Sequence, residues 1–270
     1  MQVREEELLR GMAGAARQAG EIIRSARDIG AATHEKTSPA DLVTDYDLAV
    51  EALLRERLLG LLPGAVFYGE EEAERADPTR GWAFIVDPID GTTNFVRGIR
   101  MSAVSVAAAL DGEVRCAVVY DPAGEELFSA ALGAGAFRNG RPIHVSTRPL
   151  DHGIFLMGTA TYCRELLRPT LRLTERLMAR SCDFRRMGAA SLDLCYVACG
   201  RAELYFEYSL CPWDHAAGAL ILKEAGGRAS DLEGRPLPLD RRTSLWAANA
   251  VNFGLLQELA AAGGEEDLRR

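Results

Sequence analysis

Trp82-Ala83-Phe84-Ile85-Val86-Asp87-Pro88-Ile89-Asp90-Gly91-Thr92-Thr93-Asn94-Phe95 begins as a short apolar run and ends in a turn carrying carboxylates, hydroxyls and free amides. Residues 82–86 are aromatic or aliphatic, the composition of a strand buried on both faces. Pro88 has no N–H for a ladder and Gly91 favours a turn, so the strand is expected to stop at Asp87. Asp87 and Asp90 stand three residues apart around the proline. A tight turn can aim both at one point, where two negative charges repel unless a cation lies between them. Gly91-Thr92-Thr93 then offers backbone N–H groups at the expected start of a helix, a seat for phosphate. Carboxylates for a metal beside amides for a phosphate point to metal-assisted phosphoryl chemistry.

Two further stretches turn this reading into a resemblance. The segment from Asp87 to Phe95 resembles the signature of the inositol monophosphatase family. Gly69-Glu70-Glu71 resembles the family's upstream acidic motif, and Trp213-Asp214-His215-Ala216-Ala217-Gly218, running on to Glu224-Ala225-Gly226-Gly227, resembles its downstream one. The likeness spans residues 36–249 and rests on three separated motifs in order. It implies an α/β fold, a layered αβαβα sandwich of the sugar-phosphatase type. In that fold an N-terminal α+β lobe, residues 1–150, carries most metal ligands. A C-terminal α/β lobe, residues 151–270, carries Asp214 and the substrate pocket, with the metal site between the two.

The resemblance also implies two or three Mg²⁺ ions, for which oxygen donors are suited. Glu70, Asp87 and the Ile89 carbonyl would hold one ion; Asp87, Asp90 and Asp214 a second; a third would touch Glu70. Thr92, partnered by Asp47, would orient the attacking water, with Glu70 completing the catalytic set and no phosphoenzyme formed. The Gly91 and Thr92 amides would take the phosphate, and Lys36 would stand in a loop near the metals. Gly188, Ala189 and Ala190 would line the alcohol pocket, with Glu207 accepting hydrogen bonds from the substrate's hydroxyls. Many relatives carry Gly-Thr or Gly-Ser where this chain has Gly188-Ala189, so one hydroxyl contact is absent and the alcohol specificity stays open.

Local readings compete at several of these positions. Thr44-x-x-Asp47 has capping-box spacing and would serve a helix start by itself. Asp214 lies in the first turn of an expected helix, where any carboxylate is favoured, and Glu70 belongs to an acidic run. Asp193, at the start of another helix, either pairs with Arg185 or Arg186 or touches substrate. His215 follows Asp214 but two-metal hydrolysis needs no imidazole base, so it reads as a packed or supporting residue. His34, His144 and His152 show no metal-binding spacing.

The formal net charge of −8 argues against nucleic acid as a main partner, because backbone binding needs clustered Lys and Arg. A phosphorylated substrate would be repelled too, unless bound cations supply positive charge. The six cysteines form no Cys-x-x-Cys pair, which favours free thiols over disulfides or zinc, with Cys195 and Cys199 on one helix face. An acidic start, Met1-Gln2-Val3-Arg4-Glu5-Glu6-Glu7, and the lack of a long apolar stretch predict a cytoplasmic protein with no membrane partner.

Periodicity predicts helices at 4–26, 44–61, 162–178, 189–199, 212–225 and 253–262, and strands at 65–68, 82–86, 101–110, 114–120, 126–131, 153–157, 202–208 and 244–248. Asn139-Gly140 marks a hairpin, Ser38-Pro39 a turn beside Lys36, and residues 263–270 a fraying tail. The family resemblance implies a lithium-sensitive, homodimeric Mg²⁺ phosphatase acting on a small phosphorylated polyol or alcohol, inositol monophosphate first. Histidinol phosphate is the alternative, followed by fructose 1,6-bisphosphate and 3′-phosphoadenosine 5′-phosphate. Thr93-Asn94 replaces the Lys-Glu of the nucleotidase branch. From another class, a non-catalytic role in a transcription complex stays open, and the resemblance places Arg185 near the expected dimer interface.

Overall fold

The computed structural model describes residues 5–38, 41–72, 76–160 and 162–263. Pro39 of the expected turn, and residues 264–270 of the expected tail, lie outside the described residues. The chain opens with α1 (Glu5–Ser25), the antiparallel hairpin β1 (Thr33–Ser38) and β2 (Asp41–Thr44), and α2 (Asp45–Leu61). Next come β3 (Val66–Gly69), β4 (Trp82–Asp90) and the short α3 (Thr92–Val96). A meander follows: β5 (Ala103–Leu110), β6 (Glu113–Asp121), β7 (Glu126–Ala131), β8 (Ala136–Arg138) and β9 (Arg141–Ile143). The second half holds β10 (Ile154–Met157), α4 (Leu167–Met178), β11 (Asp183–Arg185), α5 (Ala190–Ala198) and β12 (Leu204–Leu210). It ends with α6 (Pro212–Glu224), β13 (Arg228–Ser230), β14 (Thr243–Ala248) and α7 (Leu255–Gly263).

Two sheets organise these elements. The larger runs β3 to β9 in chain order, with β3 parallel to β4 and every later neighbour antiparallel. The smaller runs β11-β10-β12-β14-β13, mixed in direction. Side-chain alternation sorts the core into three slabs. Phe84, Val86, Val104, Val106, Val118 and Tyr120 face α1 and α2, whose Leu8, Met12, Ile23, Val50, Leu54 and Leu58 fill that slab. Burying each of Leu8, Met12 and Ile23 contributes about 1.5–3 kcal/mol. Ile85, Ala107, Ala117, Val119 and Phe128 point the other way, onto α5 and α6, which also receive Tyr205, Leu245 and Ala247 from the second sheet. The far face of that sheet, with Phe155, Phe206 and Trp246, packs on Leu173 and Leu177 of α4 and Leu256 and Leu259 of α7. The layers are therefore α, β, α, β, α, as expected.

Three local expectations need correction. β4 does not stop at Asp87 but continues through Pro88 to Asp90. Asp87 pairs with Ser105 and Asp90 with Ala103, so three steps on β4 oppose two on β5. That bulge absorbs the residue without an N–H. It also decides the chemistry: residues three apart in a regular strand face opposite sides, but here both aspartates turn towards α5 and α6. The helix expected from residue 162 begins at Leu167, after a 3₁₀ turn at Arg164–Leu166, because Pro169 tolerates only a first-turn position. β11 and β13, three residues each, were not expected. Among the described residues, no helix is long and apolar enough to cross a membrane.

Candidate active site

The acidic residues meet where the larger sheet touches the middle helical layer. Gly69 pairs with Val86, and the Glu70 amide continues that ladder by donating to the Val86 carbonyl at 3.1 Å, which sets Glu70 beside Asp87. Asp214 arrives from another element. Ser105, opposite Asp87, donates its hydroxyl to the Trp213 carbonyl at 3.1 Å and so fixes the first turn of α6 against β5. Pro212 opens α6, and Asp214 Oδ2 accepts the Cys211 N–H at 2.6 Å. The expected helix-start role and a position at the site thus coexist.

Asp47 shows the same duality. Its Oδ2 accepts the Thr44 N–H at 2.8 Å and the Thr44 hydroxyl at 2.6 Å, closing the capping box of α2. Its Oδ1 lies 3.4 Å from Thr92 Oγ1, which has a shorter contact, 3.0 Å, with the Ile89 carbonyl. One hydroxyl proton cannot serve both acceptors, and the shorter contact is the better bond. Burial pushes Asp47 up to about 6, against the opposing Thr44 hydrogen bonds.

Asp87 is the centre of the electrostatics. It is 2% exposed, and Oδ1 has no hydrogen-bond partner. Burial first, then the charges of Glu70, Asp90, Asp214 and Asp47, hold its carboxyl well above the ordinary range. Burial and the nearby Glu70 and Asp90 do the same to Asp214. Asp90 rises to about 6 through burial, restrained by the Ser191 and Ala190 bonds. Its Oδ1 accepts the Ala190 N–H at 3.1 Å, and Oδ2 accepts from Ser191 N at 2.7 Å and Ser191 Oγ at 2.5 Å.

Among the described residues, no three acidic, histidine or cysteine donors converge closely enough to hold an ion as they stand. Lys36 draws Glu70 aside at 3.0 Å and bonds Glu71 at 2.5 Å. Burial opposes the lysine's charge, yet the two carboxylates outweigh it and raise its pKa. Glu71 nevertheless climbs to about 7, because burial and the adjacent Glu70 exceed what one lysine returns. The donor set still suits a hard divalent cation. All side-chain donors are oxygens, one buried oxygen is unsatisfied, and the mutual repulsion is what a cation would remove.

The expected anion seat lies beside them. Gly91, at φ 88°, starts α3, and a Cβ there would come within 2.9 Å of the Met101 carbonyl and 3.1 Å of the Gly188 carbonyl. Only glycine allows that approach. Asn94 Nδ2 ties α3 to the Met101 carbonyl at 2.9 Å and the Met187 carbonyl at 2.8 Å, locking the Gly188-Ala189-Ala190 segment alongside. Across the cleft, Glu207 accepts the Ala160 N–H at 3.0 Å and the Tyr205 hydroxyl at 2.7 Å. Gly158 leaves it room, since a Cβ there would run into the carboxylate.

The resulting cleft holds about 160 Å³ and is lined by Glu70, Asp90, Gly91, Thr92, Gly188, Ala189, Ala190, Glu207 and Asp214, together with Leu42, Tyr162, Arg186 and Asp193. A larger cleft of about 930 Å³, between α4, α7 and residues 231–244, contains none of these acids. Its Arg235 and Arg241 are already tied to Asp231, Glu233 and Asp240. The smaller cleft is the candidate on chemical grounds.

Sequence reading did not single out Asn94, Ser105, Tyr162 or Leu42. Their roles depend on contacts 93–108 residues away or on cleft shape, and no local pattern announces them. Arg185 pairs with Asp183 at 2.5 Å, which leaves Arg186 as the basic neighbour of Asp193. His215 is buried, neither ring nitrogen has a partner, and burial lowers its pKa to about 4. It is neutral at physiological pH, in keeping with a packed rather than catalytic residue. All six cysteines are free.

Comparison with known proteins agrees with this geometry. The profile of the inositol monophosphatase family matches residues 4–264. An inositol-1-monophosphatase of Rhizobium meliloti is 41% identical over 237 residues, 86% of this chain and 88% of its own length. The Nus factor SuhB of Escherichia coli K12 is 38% identical over 222 residues, 82% of this chain and 83% of its own. Among solved structures, the extragenic suppressor protein SuhB of Bartonella henselae superposes with a TM-score of 0.86 at 35% identity, covering 94% of this chain and 98% of that one. The inositol monophosphatase of Anabaena gives 0.82 at 30% identity, covering 95% and 96%.

Proposed function

We propose a phosphatase function from one premise: the chain belongs to the inositol monophosphatase family. The reaction is the Mg²⁺-dependent hydrolysis of a small phosphomonoester, inositol monophosphate first, to the alcohol and inorganic phosphate. The observation that carries this reading is Asp87: a buried carboxylate with an unpartnered oxygen, ringed by Glu70, Asp90, Asp214 and Asp47. Such a cluster is costly unless a divalent cation offsets it.

Glu70, Asp87, Asp90, Asp214 and the Ile89 carbonyl would hold the ions, two or three in all. When bound, these ions offset charge on the phosphate and leaving oxygen and lower the pKa of water. The chain's own groups do the positioning. The Gly91 and Thr92 amides at the start of α3 receive phosphate oxygens. With the Ile89 carbonyl engaged by an ion, the Thr92 proton would turn from that carbonyl, its better partner here at 3.0 Å, to Asp47 Oδ1 at 3.4 Å, and its oxygen lone pair would accept from the attacking water and aim it. Glu207 and the segment Gly188 to Ala190 orient the alcohol, and Lys36 holds Glu70 and Glu71 against the site's edge.

The name SuhB on several relatives leaves a binding role as a second reading. A protein freed from catalysis has no reason to keep Asp47, Glu70, Asp87, Asp90, Thr92 and Asp214 together, so hydrolysis is favoured. A panel of inositol 1-phosphate, histidinol phosphate, fructose 1,6-bisphosphate and 3′-phosphoadenosine 5′-phosphate, read by phosphate release in Mg²⁺, tests the proposal. Highest kcat/KM on inositol phosphate supports it, preference for histidinol phosphate moves it to the runner-up, and no release from any of the four refutes it. Inhibition by Li⁺ and a homodimer mass in light scattering belong to the same proposal.

A further inference from the structure

The leaving-group end of the cleft contains a carboxylate to which no role has been assigned. Asp193 lies in the first turn of α5, is 1% exposed, and lines the cleft, yet its Oδ1 has no hydrogen-bond partner. An acidic residue in that position ordinarily serves the helix terminus. Here that post is taken: Asp90 accepts both the Ala190 and the Ser191 N–H. Nor does Arg186 satisfy it. That guanidinium, the sole cationic side chain among the cleft's described lining, reaches Thr159 Oγ1 at 3.4 Å and gives Asp193 Oδ1 no hydrogen bond. A carboxylate oxygen kept dry and unpaired is expensive, so a retained one calls for a ligand that supplies the missing donor.

Resting on the phosphatase reading above, we infer that Asp193 is a specificity-determining residue. It accepts a hydrogen bond from a hydroxyl or ammonium group of the leaving alcohol, beside Glu207. Asp193 and Glu207 share the Arg186 guanidinium, and Arg242 acts on Glu207 as well. The subsite therefore selects donor-rich, neutral or cationic alcohols and rejects alcohols bearing a second phosphate. Rejection follows from charge, because a second phosphate would sit against two carboxyl groups whose nearby cations, Arg186 for both and Arg242 for Glu207, are already shared with them. Selection follows from the unpaired oxygen, because a substrate without a donor leaves it unsatisfied.

The test compares Asp193→Asn with wild type in Mg²⁺ on inositol 1-phosphate, fructose 1,6-bisphosphate and p-nitrophenyl phosphate, whose leaving group carries no hydrogen-bond donor. A buried acceptor left without its donor costs about ten- to hundred-fold in binding. The ratio of kcat/KM for inositol 1-phosphate to that for p-nitrophenyl phosphate should fall by about that factor, mainly through KM, while the corresponding ratio for fructose 1,6-bisphosphate rises. A residue that merely holds the fold would depress all three substrates together, and that result, or no change in either ratio, overturns the assignment. Asp193→Ser provides the same comparison if the asparagine variant does not fold. A wild-type enzyme that releases no phosphate from any of the three substrates overturns the phosphatase reading and this assignment with it. Release with unchanged ratios overturns the assignment alone.

Discussion

Asp47→Asn should make the metal-free protein more stable and the enzyme far slower. The amide oxygen can stay where Oδ2 accepts the Thr44 N–H and hydroxyl, so the cap of α2 persists. What disappears is a buried charge. The folded pKa of about 6 lies above the ordinary 3.8, so the folded state binds this proton more tightly than the unfolded state. Asp47 therefore withdraws stability as pH rises through about 6, and the withdrawal is absent below the ordinary value. Roughly two units at 1.36 kcal/mol each amount to about 3 kcal/mol at pH 8. That figure already contains the two Thr44 cap bonds, which hold the pKa down against burial. The expectation is a gain of about 3 kcal/mol at pH 8, or about 2–4 °C per kcal/mol, and well under about 1 kcal/mol at pH 4. Activity moves the other way, because the Nδ2 that replaces Oδ1 faces the Thr92 hydroxyl as a donor and leaves it no acceptor there. Urea denaturation in chelator at both pH values, alongside kcat at pH 8, measures both effects. A variant destabilised equally at pH 8 and pH 4, or one with near wild-type kcat, would refute the reasoning.

Thr92→Ala leaves every acidic side chain intact and removes one hydroxyl. Calorimetric Mg²⁺ affinity should stay near wild type while kcat drops by about 10²–10⁴-fold. Glu207→Ala should raise KM for inositol phosphate and alter preference among alcohols, read from steady-state kinetics; an unchanged KM would remove Glu207 from the pocket. Ser105→Ala frees the Trp213 carbonyl, so we expect a loss of about 1 kcal/mol in urea denaturation and weaker Mg²⁺ binding. Equal Mg²⁺ affinity would show that Asp214 needs no such anchor.

Much of this was legible because it is local. Apolar period marked α1, turn chemistry marked the β8–β9 hairpin at Asn139-Gly140, and Thr44-x-x-Asp47 announced the box that the structure closes. Asp87 and Asp90 were readable from their own short segment, but joining Glu70 and Asp214 to them took the family motifs, since Asp214 reaches Asp87 by way of a Ser105 bond spanning 108 residues. Pro88 misled for a physical reason. A missing N–H ends a regular strand, but a bulge tolerates it, and only pairing with β5 reveals the bulge. The three-residue strands β11 and β13 take their form from neighbouring strands rather than from their own composition. The vacancy at Asp193 Oδ1 likewise required knowing that Asp90 had already taken the α5 amides.

The central claim is that a buried acidic cluster around Asp87 becomes functional by holding divalent cations for phosphoryl transfer. Phosphate release from inositol 1-phosphate, followed as Mg²⁺ is titrated into chelator-stripped wild type and Asp87→Asn, tests it most directly. Wild type should be silent without Mg²⁺ and rise saturably with it, whereas Asp87→Asn, keeping the side chain's size but not its charge, should stay at least about 10³-fold slower at saturating Mg²⁺. Full turnover in excess chelator, or an Asp87→Asn enzyme that matches wild type, would contradict the account.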